Sequence, residues 1–143
     1  LWYGFCTFYS VKHLLNILII IFPLLFEMPA SAQTESFDVF SPISKYIVKG
    51  DADSLSAWFD TNLELTIAGQ EGSTSKNQAK QILKVFFSSY TPREFEITHT
   101  AERANMKYAL GNLSAGGENF SVTIFVSSKG NECKIQELKI EAD

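Results

Sequence analysis

The sequence has 143 residues, and its 12 Lys and Arg against 16 Asp and Glu give a formal net charge of −4 at pH 7. This length suits one domain with one hydrophobic core. The mild acidity, without a basic cluster, argues against nucleic acid or an anionic membrane surface as the main partner.

The first predicted element is a cleavable signal peptide. The apolar run Leu14–Phe26 has 13 residues, whereas a helix that spans a membrane needs about 20. Lys12 precedes this run, and the small residues at 30–32 follow it as a cleavage site. We therefore predict a signal peptide over residues 1–32, export to the periplasm or the extracellular space, and a mature protein that begins at Gln33 without stable membrane insertion.

The stretch "LWYGFCTFYS" ahead of Lys12 is aromatic and uncharged, unlike the usual start of a signal peptide. The resulting hypothesis is that translation starts near Val11 and that residues 1–10 are an artefact of gene prediction. The domain itself is predicted over residues 33–143. Cys133 is then its only cysteine, which excludes an internal disulfide and a cysteine-based zinc site.

Two helices open the predicted domain. Apolar residues between Phe37 and Val48 recur at spacings of three and four, which predicts a helix with one buried stripe. Pro42 predicts that this helix starts or kinks nearby. Gly50 is the expected left-handed residue at its end, and Asp51 or Asp53 is expected to cap a short second helix, "ADSLSAWFD".

A strand, a loop and a third helix come next. The alternation in "NLELTIAG" predicts a strand with one buried face, and "GQEGSTS" reads as a loop rich in turn residues. Ser75 is expected to cap the helix "KNQAKQILKVFFSSY", and Pro92 is expected to end it. The apolar stripe of this helix is Ala79, Ile82, Leu83, Phe86 and Phe87.

Four antiparallel strands are predicted after Pro92, over "REFEITHT", "MKYALGNLSA", "NFSVTIFVSS" and "CKIQELKIEA". Gly116 and Gly117 predict a hairpin, and a change of phase near Gln136 and Glu137 predicts a bulge. The layout is α+β, with three helices packed on one face of a curved, mainly antiparallel sheet. Alternation assigns eight residues to the outer face: Glu94, Glu96, Thr98, Thr100, Ser121, Thr123, Phe125 and Ser127.

This order of elements resembles the nuclear-transport-factor-2-like cone fold, which ketosteroid isomerase and scytalone dehydratase share. Several pieces also resemble the domain-of-unknown-function family 4783, a group of small exported bacterial proteins. Those pieces are "GDADSLSAWF" with "LELTI", "SKNQAKQILKVFF", "YALGNLSAGGENFSV" and "IQELKIE". The resemblance implies the cone fold, and it implies no reaction because the family carries no assigned activity.

The candidates for catalysis are His99, Asp38 and Asp60. His99 is the only histidine of the predicted mature chain, and its alternation with Phe95 and Ile97 places it on the inner face. Buried His and Asp residues act as acid or base in the enzymes of the resembled fold, and a histidine suits that role near pH 7. A lone histidine beside apolar residues is nevertheless more often a structural residue.

Two functions follow. The favoured one is a non-catalytic exported domain that binds a small apolar ligand or a protein partner through the cone or the sheet face. The alternative is an enzyme of the isomerase or dehydratase kind that uses His99 with a carboxylate.

No cofactor or metal is predicted, because phosphate-binding glycine loops, paired metal-ligand histidines and C-x-x-C are absent from the sequence. Phe125 is the only large apolar residue assigned to the outer face, which predicts a monomer or a weak dimer.

Overall fold

The computed structural model describes residues 38–143, so the predicted signal peptide and the predicted start at Gln33 lie outside the described residues. The described part contains three helices and six strands. The helices are α1 (Phe40–Lys49), α2 (Ala52–Ser56) and α3 (Lys76–Ser89). The strands are β1 (Phe59–Ile67), β2 (Gln70–Ser75), β3 (Pro92–Arg103), β4 (Met106–Ala115), β5 (Glu118–Lys129) and β6 (Glu132–Ala142).

Local signals set the bounds of α1 and α2, as predicted. Pro42 lies in the first turn of α1, where its missing N–H costs no helical hydrogen bond. Gly50 ends α1 with a left-handed φ of 63°, which glycine adopts without a steric cost. The Asp51 side chain accepts a hydrogen bond from the Ser54 N–H at 3.0 Å and so caps α2.

The prediction of a loop over "GQEGSTS" is wrong, because Gln70–Ser75 forms the strand β2. This strand pairs antiparallel with β1 across the turn at Ala68 and Gly69, and its polar composition reflects an edge position. Ser75 then caps α3 through a reciprocal capping box with Gln78, as predicted for Ser75. Phe59 was predicted in the second helix, but it begins β1.

The six strands form one sheet in the order β2-β1-β6-β5-β4-β3. Four of the five pairings are antiparallel, and β1 pairs parallel with β6. The predicted antiparallel series β3 to β6 is confirmed, and the hairpin at Gly116 and Gly117 uses two residues with positive φ. The parallel pairing joins the helical half of the chain to its last strand.

The core lies between the helices and the inner face of the sheet. Ile43 and Ile47 of α1, Leu83 of α3, and Phe120 of β5 are among its fully buried members. Two apolar residues predicted for the helix stripes are exposed instead, Val48 at 36% and Ile82 at 40%. Within residues 38–143, no helix combines the length and apolar character that a membrane span requires.

Bulges in β6 and in the middle of β3 change which residues share a face. In β6, Gln136 is the extra residue between the pairs Phe125–Glu137 and Val126–Ile135, which confirms the predicted bulge. In β3, an unpredicted bulge leaves Thr98 unpaired between Ile97 and His99. Every β3 residue after this bulge therefore lies on the opposite face from the one that simple alternation gives.

Candidate functional site

An apolar patch lies on part of the outer face of the sheet, on the side away from the helices. We call it the outer-face patch, and its members are His99, Met106, Tyr108, Leu110 and Phe125. The ring centroids of His99 and Tyr108 are 5.8 Å apart, and Tyr108 stacks on Phe125 at 5.6 Å. Met106 and Leu110 are 40% and 38% exposed. Apolar side chains of β4 and β5 thus meet the His99 ring of β3 in one surface.

Charged residues flank this patch asymmetrically. Arg103 pairs with Met106 at one end. At the other end, Glu96 pairs with Asn112 and Glu94 pairs with Ser114, two and four residues beyond Leu110 along β4. The patch is therefore an apolar centre with a basic end and an acidic end, an arrangement typical of protein-binding surfaces with a polar rim.

The bulge at Thr98 moves His99 to the outer face, so its predicted inner-face position is wrong. Asp38 lies at the start of α1, where its carboxylate accepts a hydrogen bond from the Phe40 N–H at 3.0 Å. Asp60 lies in β1, four strand spacings from His99 in β3, a lateral separation of about 19 Å. His99 and Asp60 are therefore not brought together, and Asp38 binds the first backbone N–H of α1.

A cleft of about 510 Å³ opens at the end of the sheet where β1 diverges from β6. The two strands pair at Phe59–Ile135 and again at Glu64–Glu137, so residues 60–63 of β1 stand opposite Gln136 alone. The cleft also takes lining residues from the β2–α3 junction and the end of β5. Its lining is mostly polar: Asp60, Thr61, Ser75, Lys76, Asn77, Ser127, Lys129, Glu132, Lys134 and Gln136, with Phe59 beside them.

Asp60 is held in place within this cleft. Its carboxylate accepts hydrogen bonds from the Thr61 N–H at 2.7 Å and from the side-chain amide of Gln136, and the Lys129 Nζ lies 4.0 Å away. The Thr61 N–H, then the Gln136 amide, lower the pKa of Asp60 below its usual value, since both stabilise the ionised form. Asp60 is thus a fixed negative charge at neutral pH.

The pKa of Asp60 does not suit an acid–base role. An efficient general acid or base has a pKa near the working pH, and the pKa of Asp60 is displaced away from neutrality. Among the described residues, no group of three or more His, Cys, Asp and Glu could hold a metal ion. The outer-face patch can bury apolar groups, and the cleft can bind polar ones.

The prediction missed both surfaces in part. Alternation assigned Phe125 correctly to the outer face, but Met106, Tyr108 and Leu110 of β4 were left out although the same alternation along "MKYALGNLSA" would have found them. The cleft has no comparable signal. Lys129 and Lys134 flank the turn between β5 and β6, whereas Lys76 lies 53 residues before Lys129. Only the sheet order brings the start of α3 next to that turn.

Comparison with known proteins identifies related folds. The model of the family "Domain of unknown function (DUF4783)" matches residues 40–141. A DUF4783 family protein from Bacteroides uniformis superposes with a TM-score of 0.70 at 21% identity, covering 74% of this chain and 98% of that one. A second, from Bacteroides fragilis, gives 0.67 at 23% identity over 71% and 95% of the two chains. No curated protein sequence matches the chain.

A more distant similarity extends beyond these proteins. A putative dehydratase of the NTF2-like family from Streptomyces avermitilis superposes with a TM-score of 0.58 at 10% identity, covering 73% of this chain and 90% of that one. At such identity the similarity concerns the fold alone. The predicted α+β nuclear-transport-factor-2-like fold, with three helices on a mostly antiparallel sheet, is confirmed.

Proposed function

The chain belongs to the DUF4783 family of domains of unknown function, and from that premise we propose that it is an exported, non-catalytic domain that binds a protein partner through the outer face of its sheet. The observation that carries the proposal is the outer-face patch. Tyr108 and Phe125 form a stacked aromatic pair there, and Met106 and Leu110 beside them are 40% and 38% exposed. Aromatic residues and methionine are enriched in protein interfaces.

The charges around the patch define the chemistry of the partner. Arg103 lies at one end, and Glu94 and Glu96 lie at the other. The complementary surface has an apolar centre, an acidic group facing Arg103 and a basic group facing the two glutamates. A partner segment of this pattern buries Met106 and Leu110 and leaves the charged pairs at the rim.

Two features weigh against the alternative of an isomerase or dehydratase. His99 lies beside Tyr108 on the outer face, with the two rings tilted by 51°, and within residues 38–143 no hydrogen bond joins it to a carboxylate. The lowered pKa of Asp60 makes this carboxylate a poor proton acceptor near pH 7. Binding of a small apolar ligand inside the cone has less support than surface binding, because Leu113, Phe120 and Ile124 of the inner face are already buried against the helices.

Selection from a peptide-display library tests the binding proposal. Peptides that bind the purified protein are expected to share an apolar residue between an acidic and a basic one. Their affinity, measured by calorimetry, is expected to fall at least about tenfold in the double variant Met106→Ser, Leu110→Ser, because hot spots in an interface each contribute about 2 kcal/mol or more.

The matched control is Ile82→Ser, Val85→Ser, which removes two exposed apolar side chains from α3, at 40% and 68% exposure. This control is expected to keep full affinity, and thermal unfolding verifies that both double variants are folded. Peptides that bind both double variants equally well would place the binding surface elsewhere and refute the proposal.

Export rests on the apolar run and the small residues at 30–32. Expression in a bacterial host followed by intact-mass measurement of the exported protein tests it. The expected species begins at Gln33, with a further loss of ammonia where this residue cyclises. A species that retains Leu14–Phe26 would contradict cleavage.

A further inference from the structure

The polar cleft between β1 and β6 is separate from the outer-face patch and has no role in the function proposed above. We propose that it binds a small oxyanion, either a carboxylate or a phosphate ester, that also carries hydroxyl groups. Its volume of about 510 Å³ lies in the range of small-molecule sites. It is built by the fold, because β1 leaves the parallel ladder for four residues at this point.

Three lysines from different elements converge on the cleft. Lys76 begins α3, Lys129 ends β5, and Lys134 lies near the start of β6. The Lys134 Nζ donates a hydrogen bond to the Ala57 carbonyl at 3.3 Å, which holds its ammonium group in the region without neutralising it. Lysines are strongly hydrated point charges that bind phosphate and carboxylate groups.

The carboxylates of the cleft do not cancel this charge. The lining contains three lysines against Asp60 and Glu132, a balance of 3 − 2 = +1 on a chain whose net charge is −4. Asp60 pairs with Lys129, so the remaining charges of the lining are Lys76 and Lys134 against Glu132. The positive charge is therefore local, and it opposes the sign of the whole molecule.

Neutral polar groups supply the second half of the recognition. The hydroxyl groups of Thr61 and Ser127 and the side-chain amide of Asn77 line the same cleft, whereas Ser75 and Gln136 are engaged by Gln78 and Asp60. These groups donate and accept hydrogen bonds, as a ligand with hydroxyl groups requires. The first turn of the 14-residue helix α3 adds a positive potential that also favours an anion.

An NMR titration of the ¹⁵N-labelled protein tests the proposal with two probes, inorganic phosphate and acetate, at constant ionic strength. Saturable shifts are expected at Thr61, at residues 75–77 and at residues 129–136 for at least one probe. The double variant Lys76→Gln, Lys134→Gln is expected to weaken binding at least about fivefold. The control Lys45→Gln, an exposed charge on α1, is expected to leave binding unchanged.

The variant Asp60→Asn provides a test that misfolding cannot imitate. It removes a negative charge but keeps an oxygen that accepts from Gln136, so anion binding is expected to tighten by about threefold at low salt, for a charge about 6 Å away in water. The probe that binds more tightly identifies the headgroup. Absence of saturable shifts with both probes, equal weakening by Lys45→Gln, or unchanged binding in Asp60→Asn would overturn the proposal.

Discussion

Gly111 lies on the inner face of β4, where the Phe95 ring crosses it. A Cβ at this position would lie 2.6 Å from the Glu96 carbonyl oxygen and 2.8 Å from the Phe95 ring. We predict that Gly111→Ala lowers the free energy of unfolding by about 1–3 kcal/mol, because overpacking forces the backbone of β3 to move. Urea unfolding measures it. Gly72→Ala on the edge strand β2 is the control, since nothing lies within 4 Å of its added Cβ, and equal stability of both variants would contradict the prediction.

Asp60 gives a second prediction at this scale. Hydrogen bonds from the Thr61 N–H and Gln136 lower its folded pKa, so it contributes stability above its unfolded pKa of about 3.9, and this contribution is lost as the pH falls through the folded value. Asp60→Asn is therefore expected to be less stable than the wild type at pH 7, with the difference shrinking below about pH 4. Urea unfolding at pH 7 and pH 2.5 measures this, with the exposed Glu118→Gln as control. A difference independent of pH would contradict it.

The role of a single residue is predictable from the sequence where the contacts that fix its position are local. Gly50, Asp51 and Ser75 were assigned correctly as helix-end residues, because each acts through backbone groups within four positions. His99 was placed on the wrong face because the bulge at Thr98 is a property of the β3–β4 pairing. At this bulge the pairing partners lie 11 or more residues away in sequence. Alternation within β3 alone gives no information about them.

The helix α3 joins the core through one side. Phe86 contacts Phe87, Tyr90 and Phe120 with ring centroids 5.7, 5.2 and 5.3 Å apart. Phe120 belongs to β5, which confirms that the helix packs directly on the sheet. Phe86→Ala is predicted to cost about 3–5 kcal/mol, whereas Val85→Ala, at 68% exposure, is predicted to change the free energy of unfolding by less than about 0.5 kcal/mol. Thermal unfolding compares them, and similar melting temperatures would refute this packing.

The elements that were predicted well have strong periodicity. The bounds of β4 agree with "MKYALGNLSA", and α3 ends one residue before the predicted segment does. The strand β2 was missed because "QEGSTS" is polar on both faces and lies at the edge of the sheet. Its only signal is its pairing with β1, which is a tertiary contact.

The whole molecule is predicted to be a monomer or at most a weak dimer at micromolar concentration. The outer-face patch has five members, two of them already stacked on each other, and in a symmetric dimer the same small centre would have to serve both copies of an interface of about 1,000 Å². A two-fold axis across the strands would bring Arg103 of one copy near Glu96 of the other, which favours weak pairing. Sedimentation equilibrium measures it, with Arg103→Glu expected to abolish any dimer. A dimer that persists at nanomolar concentration would contradict the prediction.

The sequence predicted the fold class of the whole molecule because helix stripes, turns and the resemblance agreed with one another. It did not predict the cleft. That site depends on the parallel pairing of β1 with β6 and on the interruption of this pairing between Phe59 and Glu64. The change of phase near Gln136 marks the bulge in β6, but nothing in β1 indicates that residues 60–63 leave the pairing opposite it.

The bulge at Thr98 also makes β3 tolerant of a change in length. Ile97 and His99 already occupy consecutive positions opposite Gly111 and Leu110, so a chain that lacks Thr98 keeps every other side chain on its present face. Deleting Thr98 is expected to lower the melting temperature less than deleting Thr100, which would turn residues 101–103 over. Differential scanning calorimetry of the two deletions decides this, and equal losses would show that the extra residue is needed. A related chain that lacks a residue at position 98 would therefore keep the same side chains on each face of this strand.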